Sequence, residues 1–349
     1  MKYCVIFGTR PEIVKLSPII KELGKRKLDY FLLHTGQHYN YELDGIFIKE
    51  LELPKPKYNL NVGSYSASKQ TAKMMLGLES VLSQEKPDAI LVLGDTNSVF
   101  AGAFVGNKLN IKVGHIEAGL RSYDRNMPEE INRILVDHMA DYLFAPTNNA
   151  CDTLWGEGIP VKRTFMTGNT IVDAIKQNIK NNRKLDIERE YFLATIHRQE
   201  NVDNQARLQS IMESLVMVNE KYKKPVILPI HPHTEQRIKN YNISTNGIII
   251  VDPVGYLEFL HLEYDAKAIL TDSGGVQEEA CILGIPCVTL RDNTERPETV
   301  DVGANMLAGV ETDRVLECLD IMLNNKRKWA NPFGDGNSAS RILDIIEDI

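Results

Sequence analysis

Residues 268–290 read AILTDSGGVQEEACILGIPCVTL. The run Ala268-Ile269-Leu270-Thr271 reads as a buried strand and Asp272-Ser273-Gly274-Gly275 as a turn. A helix begins near Val276 and runs through Leu283, and Pro286 to Leu290 form the next strand. This is a strand–helix–strand unit of a parallel sheet. The small residues of the turn leave backbone N–H groups open at the helix N-terminus, where the helix dipole adds about 0.3–1 kcal/mol toward an anion. Ser273 or Asp272 can also serve as a plain N-cap there. The conformational cost of consecutive glycines favours the phosphate reading. One turn on, Glu278 and Glu279 present carboxylates that can grip ribose hydroxyls.

The same rhythm extends in both directions. Upstream in the second half lie the apolar runs YFLATIH, PVILPIH and GIIIVDP, with a helix through Val218. The first half alternates CVIFG, YFLLH, AILVLG and IKVGHIE with helices at PEIVKLSPIIKELG, around Thr71 to Ser83, from Ser98 and from Pro128. Two doubly wound α/β domains follow, 1–168 and 169–337, divided near the Thr167-Gly168-Asn169 turn and the polar tract Gln177 to Arg189 that follows it, where apolar periodicity fades. A last amphipathic helix over 338–349, with Ile342, Ile345 and Ile346 on one face, is expected to return to the first domain. Ligands of such sheets sit beyond the carboxyl ends of the strands, so an interdomain cleft is the expected site.

A length of 349 residues suits two domains, and 43% hydrophobic with 25% charged residues suits large cores. The net charge of −7 is spread without a long single-sign block, which disfavours nucleic-acid and anionic-membrane partners. The apolar run Val5 to Phe7 is too short for a signal-peptide core and no 18-residue apolar stretch exists, so a cytoplasmic location is expected. Cys4, Cys151, Cys281, Cys287 and Cys318 are odd in number and set among apolar neighbours, as reduced core thiols are.

Nicotinamide binding is disfavoured, because Gly8-Thr9-Arg10-Pro11-Glu12 lacks the three-glycine spacing that admits a pyrophosphate. The G-x-G-x-x-A match at Gly334, Gly336 and Ala339 follows no βαβ unit and reads as a turn into the last helix. The first loop instead offers Arg10 and, one turn into the helix, Lys15, cations suited to a phosphate or to pairing with Glu12 and Glu22. Asp95, His115, Glu117, Glu129, Glu130 and Arg133 crowd the strand ends of the first domain. Acids placed directly after buried strands carry a desolvation cost, which makes them acid/base candidates. Read structurally, Asp95 caps a helix, Glu129 and Arg133 form an i,i+4 pair, and His115 is a core histidine. His231 and His233 have the spacing of a metal pair, but Pro232 and the lack of nearby acids favour His231 as a proton or phosphate partner, and no metal is expected.

Eight motifs in order then resemble the non-hydrolysing UDP-N-acetylglucosamine 2-epimerases: GTRPE with Lys15, TGQH (Thr35–His38), GDT (Gly94–Thr96), HIEAGLR (His115–Arg121), PEEINR (Pro128–Arg133), HRQEN (His197–Asn201), DSGGVQEE (Asp272–Glu279) and RDNTERPE (Arg291–Glu298). The resemblance implies the glycosyltransferase-B architecture of two Rossmann-like domains, with UDP held mainly by the second and the sugar facing the first. It implies loss of the carbon 2 proton and of UDP to give 2-acetamidoglucal, then re-addition with protonation on the opposite face, without a cofactor. It places Arg10, Lys15, Arg133 and His231 as diphosphate or leaving-group partners and Asp95, Glu117 and Glu129 as the acid/base set. Ser273, Gly274 and Gly275 match the phosphate loop, Glu279 the ribose ligand, Phe259 the uracil-side contact and Arg296 a further substrate contact. Gln37 and His38 match a second, regulatory substrate site, though Tyr39 and Asn40 follow where bacterial members carry a different polar pair. Gln199 stands where the family usually has Arg. A homodimer is expected from the resemblance.

Reversible interconversion of UDP-N-acetylglucosamine and UDP-N-acetylmannosamine is the leading expectation, because DSGGVQEE and TERPE match without gaps. A hydrolysing relative that releases free N-acetylmannosamine shares the first half-reaction, and an oxidised or 3-acetamido substrate is a further variant. A glycosyltransferase of the same architecture usually needs one base, and the several first-domain acids exceed that. A sensor without turnover would tolerate their loss.

Overall fold

A computed structural model of the chain describes residues 1–36, 41–179, 190–325 and 328–348. The chain divides into two compact units, Met1–Gln177 with Phe333–Ile349, and Asn178–Pro332. Both are doubly wound, Rossmann-like α/β units built on parallel sheets.

Among the described residues the first unit holds β1 (Lys2–Phe7), β2 (Asp29–His34), β3 (Tyr58–Asn59), β4 (Ala89–Leu93), β5 (Lys112–Ile116), β6 (Tyr142–Ala145) and β7 (Thr164–Met166). Their order in the sheet is β3-β2-β1-β4-β5-β6-β7. Apolar side chains on both strand faces are the reason for the layering, since a parallel sheet needs helices on each side. Met74, Leu78 and Leu82 from the helix Ala67–Glu85 and Val99, Ala101, Ala103 and Val105 from Asn97–Lys108 pack in one cluster with Cys4, Ile6, Ile90 and Val92. Leu78 is fully buried, and truncating it to alanine would cost about 2–5 kcal/mol.

The second unit holds β8 (Phe192–Thr195), β9 (Val226–Pro229), β10 (Ile248–Val251), β11 (Ala268–Thr271), β12 (Cys287–Thr289) and β13 (Asn305–Leu307), in the order β10-β9-β8-β11-β12-β13. Its core gathers Phe192, Leu228, Leu270 and Val288 with Leu208, Met212 and Leu215 of the helix Gln205–Tyr222. In each sheet the chain leaves its first strand toward one edge and later returns on the other side. The order therefore reverses between β1 and β4 and between β8 and β11, and the loops after those strands lie side by side at the carboxyl ends.

Sequence reading missed β3, β6, β7 and β13. They have two to four residues each, too few for alternation or a continuous apolar run to mark them as strands. The helix Thr170–Asn178 sits almost wholly with the first unit, so the division falls after the Gly168-Asn169 turn, at Gln177, where the polar tract begins. Asp173 of that helix accepts hydrogen bonds from the Ser338 and Ala339 N–H groups (3.2 and 3.0 Å) and so caps the last helix, Ser338–Glu347. The buried face of that helix is Ile342, Leu343 and Ile346, with Leu343 in the place expected of the half-buried Ile345. Gly334 and Gly336 have φ of 104° and 79°, as a turn into that helix requires. All five cysteines are buried and unbridged. Among the described residues no helix is long and apolar enough to cross a membrane, and no group of three or more His, Cys, Asp or Glu can hold a metal ion.

Candidate active site

In the first unit the loops after β1 and β4 are stitched by one carboxylate. Glu12, in the first turn of the helix Arg10–Lys25, accepts from the Gly8 and Thr9 N–H groups (2.6 and 3.1 Å), and its other oxygen accepts from the Thr96 hydroxyl (2.5 Å). Burial pushes its carboxyl up to about 7; the three hydrogen bonds pull it down and the neighbouring Asp95 charge raises it. Gly8 is required by space: a Cβ there would lie 2.1 Å from the Ser98 hydroxyl and 2.3 Å from that of Thr35.

Beside this stitch stand two acid–cation pairs. Lys15 Nζ lies 2.5 Å from Glu117 Oε1, both side chains are almost fully buried, and Asn169 Nδ2 donates to the same oxygen at 2.9 Å. Breaking a buried pair of this kind costs about 3–5 kcal/mol, because one charge is left without compensation. Glu117 follows β5 directly and has φ of 65°. A left-handed backbone at a non-glycine residue costs about 1–3 kcal/mol and persists where its surroundings over-determine it, commonly at functional sites. The second pair is Arg133 with Asp95: the guanidinium donates twice to Asp95 Oδ2, at 3.1 and 2.5 Å, and once to Glu130 at 2.9 Å. Asp95 is about one-third exposed, whereas Arg133 is buried.

The expected Glu129–Arg133 pair is not formed; the i,i+3 neighbour Glu130 takes its place. Glu130 is buried and also accepts from the Ser122 and Tyr123 N–H groups, which makes it a loop anchor. Glu129 is half-buried and, among the described residues, has no ion-pair partner. His115 is sealed, with its ring nitrogens 2.7 Å from Asp137 and 2.8 Å from the Gly94 carbonyl, so the core-histidine reading holds. Asp137 also takes Arg121 at 2.7 Å and the Gly119 N–H at 3.1 Å, and Arg121 grips Glu157. Arg10 stacks over the Phe47 ring, 5.7 Å from its centroid. Glu22 pairs with Lys25 and Arg26, not with Lys15. Gln37 and His38 lie outside the described residues.

The second unit repeats the stitch with different chemistry. Asp272, fully buried after β11, accepts from the His197 and Arg198 N–H groups and from Asn201 Nδ2 (3.1, 3.1 and 3.2 Å), and His197 Nδ1 lies 3.1 Å away. Burial pushes its carboxyl up, but His197, Arg198 and Asn201 together bring it below the usual carboxylate range. Ser273 caps the helix Gly274–Leu283 through Val276 N–H at 3.5 Å, the outer limit of a hydrogen bond. A Cβ on Gly274 would lie 2.6 Å from Glu295 Oε1, whereas one on Gly275 would meet nothing nearer than 3.9 Å, so the backbone at Gly275 is uncovered.

Glu295 is gripped by Arg198 (2.7 Å) and Arg291 (2.8 Å). Burial raises its carboxyl, yet Arg296, Arg198 and Arg291 outweigh burial and hold it well below the usual range. Arg296, read as a substrate contact, is mostly buried against Glu278 at 2.6 Å. Phe259 is half-buried against the core of its unit. His231 is exposed and accepts from the His233 N–H at 3.2 Å as the cap of its own helix, while His233 pairs with Asp203. The two rings have separate hydrogen-bond partners. Sequence reading passed over Glu12, Asn169, Asp272 and Glu295 as functional residues. A carboxylate beside a strand-end glycine was the available signal for Glu12, and the remaining partners are tens of residues away along the chain.

The family model described as UDP-N-acetylglucosamine 2-epimerase matches residues 21–347. UDP-N-acetylglucosamine 2-epimerases from Methanocaldococcus jannaschii and Methanococcus maripaludis are 55% and 51% identical to this chain, covering 99% of it and 99% and 98% of themselves. The crystal structure of the Methanocaldococcus jannaschii UDP-GlcNAc 2-epimerase, in complex with UDP-GlcNAc and UDP, superposes with a TM-score of 0.94 at 54% identity over all of both chains. With strand order, loop chemistry and whole-chain similarity in agreement, the chain belongs to the UDP-N-acetylglucosamine 2-epimerase family.

Proposed function

We propose that the protein is an isomerase that interconverts UDP-N-acetylglucosamine and UDP-N-acetylmannosamine by eliminating and re-adding UDP. The observation that carries this reading is the pair of acid–cation couples at adjacent strand ends, Lys15–Glu117 and Arg133–Asp95, one of them on a strained backbone. Removing a weakly acidic carbon-bound proton needs a positioned carboxylate, and a departing diphosphate needs cations nearby.

In the proposed sequence the carbon 2 proton passes to one of Asp95, Glu117 and Glu129. The bond from carbon 1 to the UDP oxygen breaks with its electrons on UDP, and a carbon 1–carbon 2 double bond forms in 2-acetamidoglucal. UDP oxygen then re-adds at carbon 1 while a proton reaches carbon 2 from the opposite face. Arg10, Lys15, Arg133 and His231 stabilise the diphosphate. The second unit holds the nucleotide: the N–H groups around Ser273, Gly274 and Gly275 take phosphate, Glu279 the ribose, Phe259 the uracil, and Arg296 supports the loop. No metal or nicotinamide enters these steps. We propose a cytoplasmic homodimer as the working form.

A proton NMR time course with UDP-N-acetylglucosamine alone tests the reading. A second UDP-linked anomeric signal supports it. Release of free N-acetylmannosamine would replace it with the hydrolysing reaction, and an unchanged spectrum would refute both.

A further inference from the structure

The helices Tyr256–Asp265 and Gly274–Leu283 pack on one apolar cluster that includes Leu262, Val276, Ala280 and Cys287. Between them Glu263 is completely buried, and neither of its carboxyl oxygens meets a hydrogen-bond donor among the described residues. The group facing it is another carboxyl, that of Glu279, which retains slight solvent access. Tyr256 on the same helix and Cys287 on β12 complete the surroundings. All of these groups are acids, and no cation faces Glu263 among the described residues.

An isolated buried carboxylate is too costly to persist, and two facing carboxylates cannot both be charged. One proton held between them removes both penalties, because the protonated member becomes a donor and the charged member its acceptor. The proton belongs on the deeper group, since the charged form is favoured where water remains. Burial and the nearby Glu279 charge both push the Glu263 carboxyl well above the usual range, in agreement with that assignment.

We infer that Glu263 is a positioning residue: a neutral carboxylic acid whose O–H donates to the Glu279 carboxylate and fixes it for the ribose hydroxyls of the nucleotide. The inference rests on the reading of Glu279 as the ribose ligand. The pair gives the second unit an oriented, charged acceptor for a neutral diol. A cation at that place would neutralise the acceptor; a neutral acid orients it and leaves its charge.

Equilibrium binding of UDP and of 2′,3′-dideoxy-UDP to the full chain tests this, with Glu263→Gln and Glu263→Leu beside the wild type. The wild type should prefer UDP by about tenfold or more, the range of a hydrogen bond to a charged acceptor. Glu263→Gln keeps an N–H donor and should retain that preference within about twofold, whereas Glu263→Leu should reduce it to about threefold or less. A preference that survives Glu263→Leu would overturn the positioning role while leaving the ribose reading intact. A wild type without preference would overturn the ribose reading itself. Infrared spectra of the wild type and Glu263→Gln give a readout independent of nucleotide. A protonated-carboxyl stretching band at neutral pH in the difference between the wild-type and Glu263→Gln spectra supports the neutral acid, and its absence from that difference contradicts it.

Discussion

Glu12 in the first unit and Asp272 in the second solve the same structural problem. Each is a buried carboxylate that ties together the two loops at the point where its sheet reverses direction, and each accepts from two consecutive backbone N–H groups and from side-chain donors, one at Glu12 and two at Asp272. Their protonation behaviour is nevertheless opposite: burial wins at Glu12, whose carboxyl rises to about 7, and loses at Asp272, whose carboxyl falls below its ordinary range. The neighbours account for the difference. Asp272 has the His197 ring beside it, whereas at Glu12 no cation among the described residues offsets burial and the Asp95 charge adds a little to it. At these two switch points the second unit thus holds a charged, fixed tie, while the first brings two carboxyl groups near each other, as a site for proton transfer would.

The contrast can be broken in several ways, beginning with the largest effect. Glu117→Gln should lower turnover by about a thousandfold, roughly 4 kcal/mol in the barrier, while UDP affinity measured by calorimetry changes by less than about threefold. Equal losses in both quantities would remove the division of labour between the units. Asp272→Ala strands the His197 and Arg198 N–H groups and the Asn201 amide, and should cost about 3 kcal/mol of stability, read from a thermal melt, together with most of the UDP affinity.

Glu12→Gln sharpens the comparison through pH. Because the folded state holds the Glu12 proton more tightly than the unfolded chain does, its contribution is full below about 4.5 and is lost as pH rises through about 7. That amounts to at most about 3 kcal/mol. In Glu12→Gln, chemical-denaturation curves between those pH values should lose this downward slope; an unchanged slope would place the effect elsewhere. The smallest expected effect is that of Arg26→Ala. It cuts partly exposed pairs to Asp344 and Glu347 on the last helix and should cost about 1 kcal/mol or less in the same assay.

Much of this contrast was legible from residue order. Buried parallel strands are continuous apolar runs, so AILVLG and AKAILTD announced themselves, and acids following such runs pointed to chemistry because their burial is costly. Partner choice was not legible. Lys15 meets Glu117 across 102 positions and His197 N–H meets Asp272 across 75, distances at which helical periodicity carries no information. Local rules misled at Arg133, where i,i+4 spacing suggested Glu129 and the structure supplies Glu130 and Asp95. They misled again on the last helix, where Leu343 rather than Ile345 turns inward. Glu12 was read as a local partner of neighbouring cations because nothing in its own segment shows that Thr96 comes to meet it.

Turnover in heavy water tests the central claim most directly. If the carbon 2 proton leaves and is replaced, UDP-N-acetylmannosamine formed in deuterium oxide carries one deuterium at carbon 2, seen as a one-unit mass gain and loss of that proton resonance. Product formed with its original hydrogen in place would contradict the account.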